Sequence, residues 1–367
     1  MNLTRRESLL CLLGGAASSL AGPAIPSYLR DHEKLFQENP RAAAIEWFRR
    51  ARFGLFVHYG VYSLLGRGEW VMFHENIHVE PYAQLKNQFT AAKFNADFIT
   101  DLALDAGMKY VNITTRHCDG FCLFRTKETD FNSLNSPAKR DLVAELAESC
   151  RKKGLALFLY YVYGLDWRHP YFYPRSPKNL SARPDYPDLE PSYRFQRDED
   201  FRKYIDFVHS QIRELLSYDP AGIWLDGVRG TYARSELFPL AETYAVIRSR
   251  QPYVLVSYKE GVNGDEDFVS PERAAEPRFE ASRGAWAKNK GKPIEINDTL
   301  QPRLWGYNKA DDGKHRSADE VMRMLESARA ANANLLLNTG PLPDGSIHPE
   351  DVRSLREVGP RLRLARG

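Results

Sequence analysis

The feature that most constrains this chain is a repeated unit: a short apolar run rich in β-formers, followed by an amphipathic stretch. The runs lie at 53–58, 109–115, 155–161, 223–225, 253–257 and 335–338. Helical spacing predicts helices over about 92–105, 140–153, 201–216, 237–250 and 318–331. In the second of these, Leu142, Val143, Leu146 and Ala147 share a face and Gly154 supplies the stop. Strands that are apolar throughout are buried on both faces, and their alternation with amphipathic helices means a parallel sheet. With about five or six such units in 367 residues, the α/β class narrows to a (β/α)8-type, TIM-like barrel. No Gly-rich phosphate loop follows the first strands, which argues against an open nucleotide-binding sheet. Residues 254–305 show no clear period, and the Pro- and Tyr-rich stretch 168–193 reads as a long loop after the third strand.

A formal charge of +3, dispersed along the chain, gives no basis for nucleic-acid binding. The N-terminus is more specific. Thr4-Arg5-Arg6-Glu7-Ser8-Leu9-Leu10 and the short apolar, small-residue stretch after it look like a twin-arginine export signal. That stretch is too short to serve as a permanent membrane anchor. The expected organisation is a signal over 1–24, a lead-in over 25–45 and a catalytic barrel over 46–367, in a periplasmic or secreted protein. Loss of the signal removes Cys11 and leaves Cys118, Cys122 and Cys150, which make neither a disulfide framework nor a zinc site.

Barrels place their functional groups at the C-terminal ends of the strands. Those ends carry His58-Tyr59-Gly60, 115–120 with His117 and Asp119, Tyr160-Tyr161, Trp224-Leu225-Asp226 and Asn338-Thr339-Gly340. Imidazoles, phenols, an indole and a carboxylate together suit a sugar, offering hydrogen bonds to its hydroxyls and aromatic faces to its ring. In "GIWLDG" (222–227), Trp224 and Asp226 project to one face of a strand, and the glycines allow close backbone approach. A metal-dependent barrel using His58, His117 and Asp226 is the weaker reading, because no His-x-His pair follows the first strand. No metal and no cofactor is expected. The other histidines, His32, His74, His78, His169, His209, His315 and His348, read as surface or loop residues.

The ordered segments "RFGLFVHYGVYS", "YVNITTRHCDGFCLF", "KRDLVAELAESCRKKGLALFLYY", "GIWLDG", "LWGYN" and "NANLLLNTGPLPDGSI" resemble the α-L-fucosidase family of retaining glycoside hydrolases, over about residues 45–355. The resemblance implies an exo-acting glycosidase that works by double displacement on fucosylated or related glycans. It implies Asp226 as nucleophile, Glu272 as acid/base with Glu295 as second candidate, and sugar contacts from His58, Glu69, Trp70, His117, Tyr161, Trp224, Lys259 and Trp305. It also leads to the expectation that the β-sandwich following the barrel in many relatives is absent. Three places depart from the family pattern. Tyr59 stands where it has Trp, Cys118 where it has a second His, and Lys259 where it has Arg. An ammonium replaces a forked guanidinium there. These changes leave L-fucose or a related L-sugar such as L-galactose as the expected substrate. The alternative is a catalytically inactive, carbohydrate-binding barrel.

Overall fold

The computed structural model describes residues 24–364, apart from 189 and 279; the export signal expected over 1–24 therefore falls almost wholly outside the described residues. Seven parallel strands form one sheet: β1 Phe53–Val57, β2 Tyr110–Arg116, β3 Ala156–Val162, β4 Gly222–Asp226, β5 Leu255–Tyr258, β6 Glu295–Thr299 and β7 Asn334–Thr339. Their order is β5-β4-β3-β2-β1-β7-β6. The extended segment 267–273 hydrogen-bonds to both edges. Asp267 N donates to Val256 O and Ser270 N to Lys259 O on the β5 side, while Glu295 N donates to Val269 O and Asn297 N to Pro271 O on the β6 side. The sheet thus curls into a (β/α)8-like ring. β6 and this bridging segment lie in the region where the sequence shows no period. Their residues follow no strict alternation, and pairing on both sides holds them extended.

Helix limits follow local caps. The helix expected from about 92 begins at Ala96, where the Asn95 side chain accepts from Phe98 N. Asp141 caps Leu142–Lys153, and Gly154, in the left-handed region at φ 73°, ends it. Ser317 and Glu320 cap Ala318–Ala330 reciprocally. Helices Phe201–Leu215 and Leu240–Arg248 complete the predicted set. Among the described residues, no helix is long and apolar enough to cross a membrane.

Helix Pro40–Ala51 closes the N-terminal end of the ring. Its Phe48 packs against Phe268, Phe158 and Tyr110 at centroid distances of 4.2, 5.4 and 5.6 Å. Room for these rings comes from small residues on neighbouring strands. A Cβ on Gly54 would sit 2.3 Å from the Tyr110 ring, and one on Gly222 would sit 2.5 Å from Phe158. Aromatic rings fill the floor, so a ligand can enter only from the opposite, C-terminal end.

Candidate active site

At that end a cavity of about 360 Å³ is lined by Phe56, His58, Glu69, Trp70, His117, Tyr160, Trp224, Asp226, Lys259, Glu272 and Trp305, among others. Strand periodicity decides which side chains reach it. On β4, Trp224 and Asp226 face inward; on β3, the residues paired to them are Tyr160 and Val162. Tyr160 therefore points into the cavity, stacked 5.5 Å from Trp224, with its hydroxyl donating to Asp226 Oδ2 at 2.8 Å. Tyr161 faces the other way. It is fully buried, donates to Gln211 Oε1 at 2.7 Å and lies beneath the Arg116 guanidinium, so its neighbour Tyr160, not the expected Tyr161, faces the cavity. On β2 a register shift between Thr114 and Arg116 turns Arg116 outward to a buried ion pair with Asp166 and brings His117 to the cavity.

Asp226 ends β4 and is held on three sides. Oδ1 accepts from Gly227 N at 2.7 Å and lies 3.1 Å from Lys259 Nζ, while Oδ2 accepts from the Tyr160 hydroxyl. Gly227 sits at φ 88°, and a Cβ there would meet Gly164 Cα at 2.7 Å. Burial alone would raise the Asp226 pKa; the Lys259 ammonium, the Gly227 amide and the Tyr160 hydroxyl outweigh it and hold the carboxyl below its usual range. Burial in turn would lower the Lys259 pKa, but Asp226 and Glu272 raise it, so the side chain stays an ammonium. Lys259 is itself in the left-handed region, at φ 42°. That costs about 1–3 kcal/mol for a residue with a Cβ, and the 2.6 Å bond from Ser270 N to its carbonyl helps to fix it.

The same ammonium lies 3.5 Å from Glu272 Oε2, and Arg278 Nη1 lies 3.1 Å from Glu272 Oε1. Glu272 lies near the end of the bridging segment, opposite Asn297 of β6, with its side chain 14% exposed at the cavity wall. Glu295 occupies a different layer. It is 1% exposed and does not line the cavity. Its carboxylate accepts from Tyr110 at 2.6 Å, Ser270 at 2.8 Å and Trp224 Nε1 at 3.0 Å. Burial raises its pKa, with the three hydrogen bonds acting against the rise. The second acid/base candidate is thus a buried brace beneath Trp224. Glu295→Ala would strand three buried donors, each costing about 1–3 kcal/mol. Its urea midpoint should fall by several kcal/mol in equivalent stability, while the folded fraction keeps turnover far above that of an Asp226 variant.

The two histidines of the remaining walls are held toward the neutral form. Asn338 Nδ2 donates to Thr299 Oγ1 and Trp305 O, so Asn338 Oδ1 accepts from His58 Nδ1 at 2.7 Å. The other His58 nitrogen is then an acceptor. Burial, with His117 nearby, holds the His58 pKa well below 6.5, and burial brings that of His117 down to about 4. His117 Nδ1 is buried with no hydrogen-bond partner. Glu69 Oε2 accepts from Trp305 N at 3.0 Å and Gly306 N at 2.8 Å, which pins the loop carrying the Trp305 wall. Cys118 is buried and does not line the cavity, and neither does Tyr59.

A family model described as Alpha-L-fucosidase matches residues 26–365. The chain belongs to the α-L-fucosidase family. Tissue α-L-fucosidase of Bos taurus is 28% identical over 347 residues, covering 87% of this chain and 67% of that protein. The Homo sapiens tissue enzyme is 27% identical, covering 97% and 75%. Among solved structures, α-L-fucosidase isoenzyme 1 from Paenibacillus thiaminolyticus is 32% identical with a TM-score of 0.71, covering 89% of this chain and 76% of that one. The Lactobacillus casei α-L-fucosidase AlfC, in complex with its α-L-fucose product, is 26% identical with a TM-score of 0.73, covering 88% and 99%. This fucosidase-family chain is a glycosidase, and of its expected site residues only Tyr161 and Glu295 stand outside the cavity.

The Arg278, Arg229, Arg303 and Asn297 side chains that also line the cavity were not singled out from sequence. They sit on connecting loops, in β6 or, for Arg229, in the short helix Val228–Ala233, where no periodicity marks an inward face. Tyr160 could have been found, because the parity that pairs Trp224 with Asp226 on β4 selects it on β3.

Proposed function

We propose that the protein is an exo-acting, retaining α-L-fucosidase in which Asp226 attacks the anomeric carbon and Glu272 serves as acid/base. The observation that carries this is the shared ammonium: Lys259 Nζ stands 3.1 Å from Asp226 and 3.5 Å from Glu272. A shared ammonium draws the two facing oxygens toward each other, which supports the short separation of a retaining pair over the wider one of an inverting pair. Asp226 is ionised and oriented as a nucleophile must be. Glu272 lies at the wall, where the leaving oxygen of an aglycone would depart. In the first step the Asp226 oxygen bonds to C1 as the glycosidic bond breaks, and the Glu272 proton goes to the leaving oxygen. In the second, Glu272 takes a proton from water, which displaces Asp226.

The unpartnered His117 Nδ1 and the free acceptor of His58 support hydroxyl recognition, and the Phe56, Trp224 and Trp305 surfaces suit a 6-deoxy methyl. A fucosylated glycan is accordingly the substrate class, with an L-galactoside as the related sugar to compare. The Arg5-Arg6 leader supports export to the periplasm or beyond. Proton NMR of 4-nitrophenyl α-L-fucoside hydrolysis tests the reading. α-L-Fucose should form first and mutarotate later, and the α-L-galactoside should react more slowly. First formation of the β-anomer would overturn retention. No release from either sugar, with fucose raising the melting temperature, would leave a binding barrel.

A further inference from the structure

Outside the cavity, the loop that carries Trp305 ends in a second polar cluster. Asp312, His315 and His348 bring one ligand atom each within 4.8 Å of one another. His315 Nδ1 lies 2.6 Å from Asp351 Oδ1, and Thr339 Oγ1 donates to Asp351 Oδ2 at 2.6 Å. An ionised carboxylate only accepts, so Nδ1 carries a proton, and in the neutral form of the ring the lone pair is on Nε2. The His315 side chain is 0% exposed, and its Nε2 is buried with no hydrogen-bond partner. A carboxylate fixing one imidazole nitrogen while the other is left bare is the arrangement that orients histidine toward a metal.

We infer that Asp312, His315 and His348 form a binding site for a divalent transition metal, Zn²⁺ or a close relative, separate from the fucosidase cavity. His348 Nε2 and Asp312 Oδ1 are 3.4 Å apart, close to the roughly 3.3 Å between ligand atoms on a tetrahedral zinc. Two imidazoles and a carboxylate are a borderline donor set that favours zinc, cobalt, nickel or copper over calcium or magnesium. The His315 and His348 rings lie 4.2 Å apart at 26°, so ligation of one ion by both requires the His348 ring to turn. Ligation requires the His348 proton on Nδ1. The Glu350 carboxylate, 3.7 Å away, would accept it in place of the Glu350 N–H that now lies 3.3 Å from that nitrogen. Tyr307 donates to Asp312 Oδ2 at 3.3 Å and steadies the third ligand. A bound ion would tie the Trp305 loop to the start of helix Pro349–Leu364, a structural clamp and not a participant in hydrolysis.

The test uses the full chain, stripped with chelator and titrated with Zn²⁺ by calorimetry and with Co²⁺ by visible absorption. One equivalent should bind, with cobalt bands of mixed nitrogen and oxygen ligation, and Zn²⁺ should raise the melting temperature. His348→Ala should abolish all three responses, and Asp312→Asn should weaken binding by about tenfold or more. Both residues are at the loop surface or a helix start, so these variants are expected to fold even if His315→Ala does not. His117→Asn, in the fucosidase cavity, should leave binding intact. Absence of a bound equivalent at micromolar metal, or unchanged binding in His348→Ala, overturns the site.

Discussion

Asp226→Ala should lower turnover of an activated aryl α-L-fucoside on the order of 10⁴-fold, equivalent to about 5.4 kcal/mol of barrier. The size follows from what the residue does. Without its oxygen no covalent intermediate forms, and nothing else among the residues lining the cavity can take its place: Glu69 is engaged with two backbone amides, and Glu272 is across the Lys259 ammonium. The cavity should still bind the sugar, because Trp224, His58 and His117 are anchored independently of Asp226 by Glu295, Asn338 and the turn at 116–120. Azide should restore rate by entering the space left by the carboxylate, and the product should be β-L-fucosyl azide, inverted relative to the substrate. A variant that keeps more than about a hundredth of the wild-type rate would remove Asp226 from the nucleophile's role.

Glu272→Ala should show the second largest effect, and that effect should depend on the leaving group. For a fucosyl disaccharide, whose alkoxide needs a proton to leave, kcat/KM should fall by about 10²–10⁴-fold. For a dinitrophenyl fucoside, which needs no proton, formation of the glycosyl-enzyme should be little changed and its hydrolysis should become limiting. Azide then attacks the intermediate itself, and the product is α-L-fucosyl azide, of retained configuration. The two variants are thus told apart by the anomer each one yields. Equal losses on both substrates would count against Glu272 and turn attention to how it positions Lys259 and Arg278.

The parallel α/β class, the six apolar strands and the barrel helices were legible because burial on both faces writes itself into the sequence as apolar runs, and exposed helix faces as polar ones. The inward-facing Trp224 and Asp226 were legible for the same reason. Tyr161 was misassigned by one position, and a one-residue change on a strand reverses the face. The histidine reading erred for His209, which is 2% exposed and bonded to Thr243 within the helix layer; His348 does lie in a loop, 7% exposed and stacked on His315.

By itself the sequence determined the architecture and the end of it that could carry chemistry, because strand and helix periods are local properties. Only the tertiary structure told the surroundings of Glu272 from those of Glu295. Both are glutamates in an aperiodic stretch, separated by their surroundings alone. One lies near the end of a bridging segment beside Lys259, and the other is enclosed by Tyr110, Ser270 and Trp224. Contacts between residues 25 to 185 positions apart set those environments, and no local pattern encodes them.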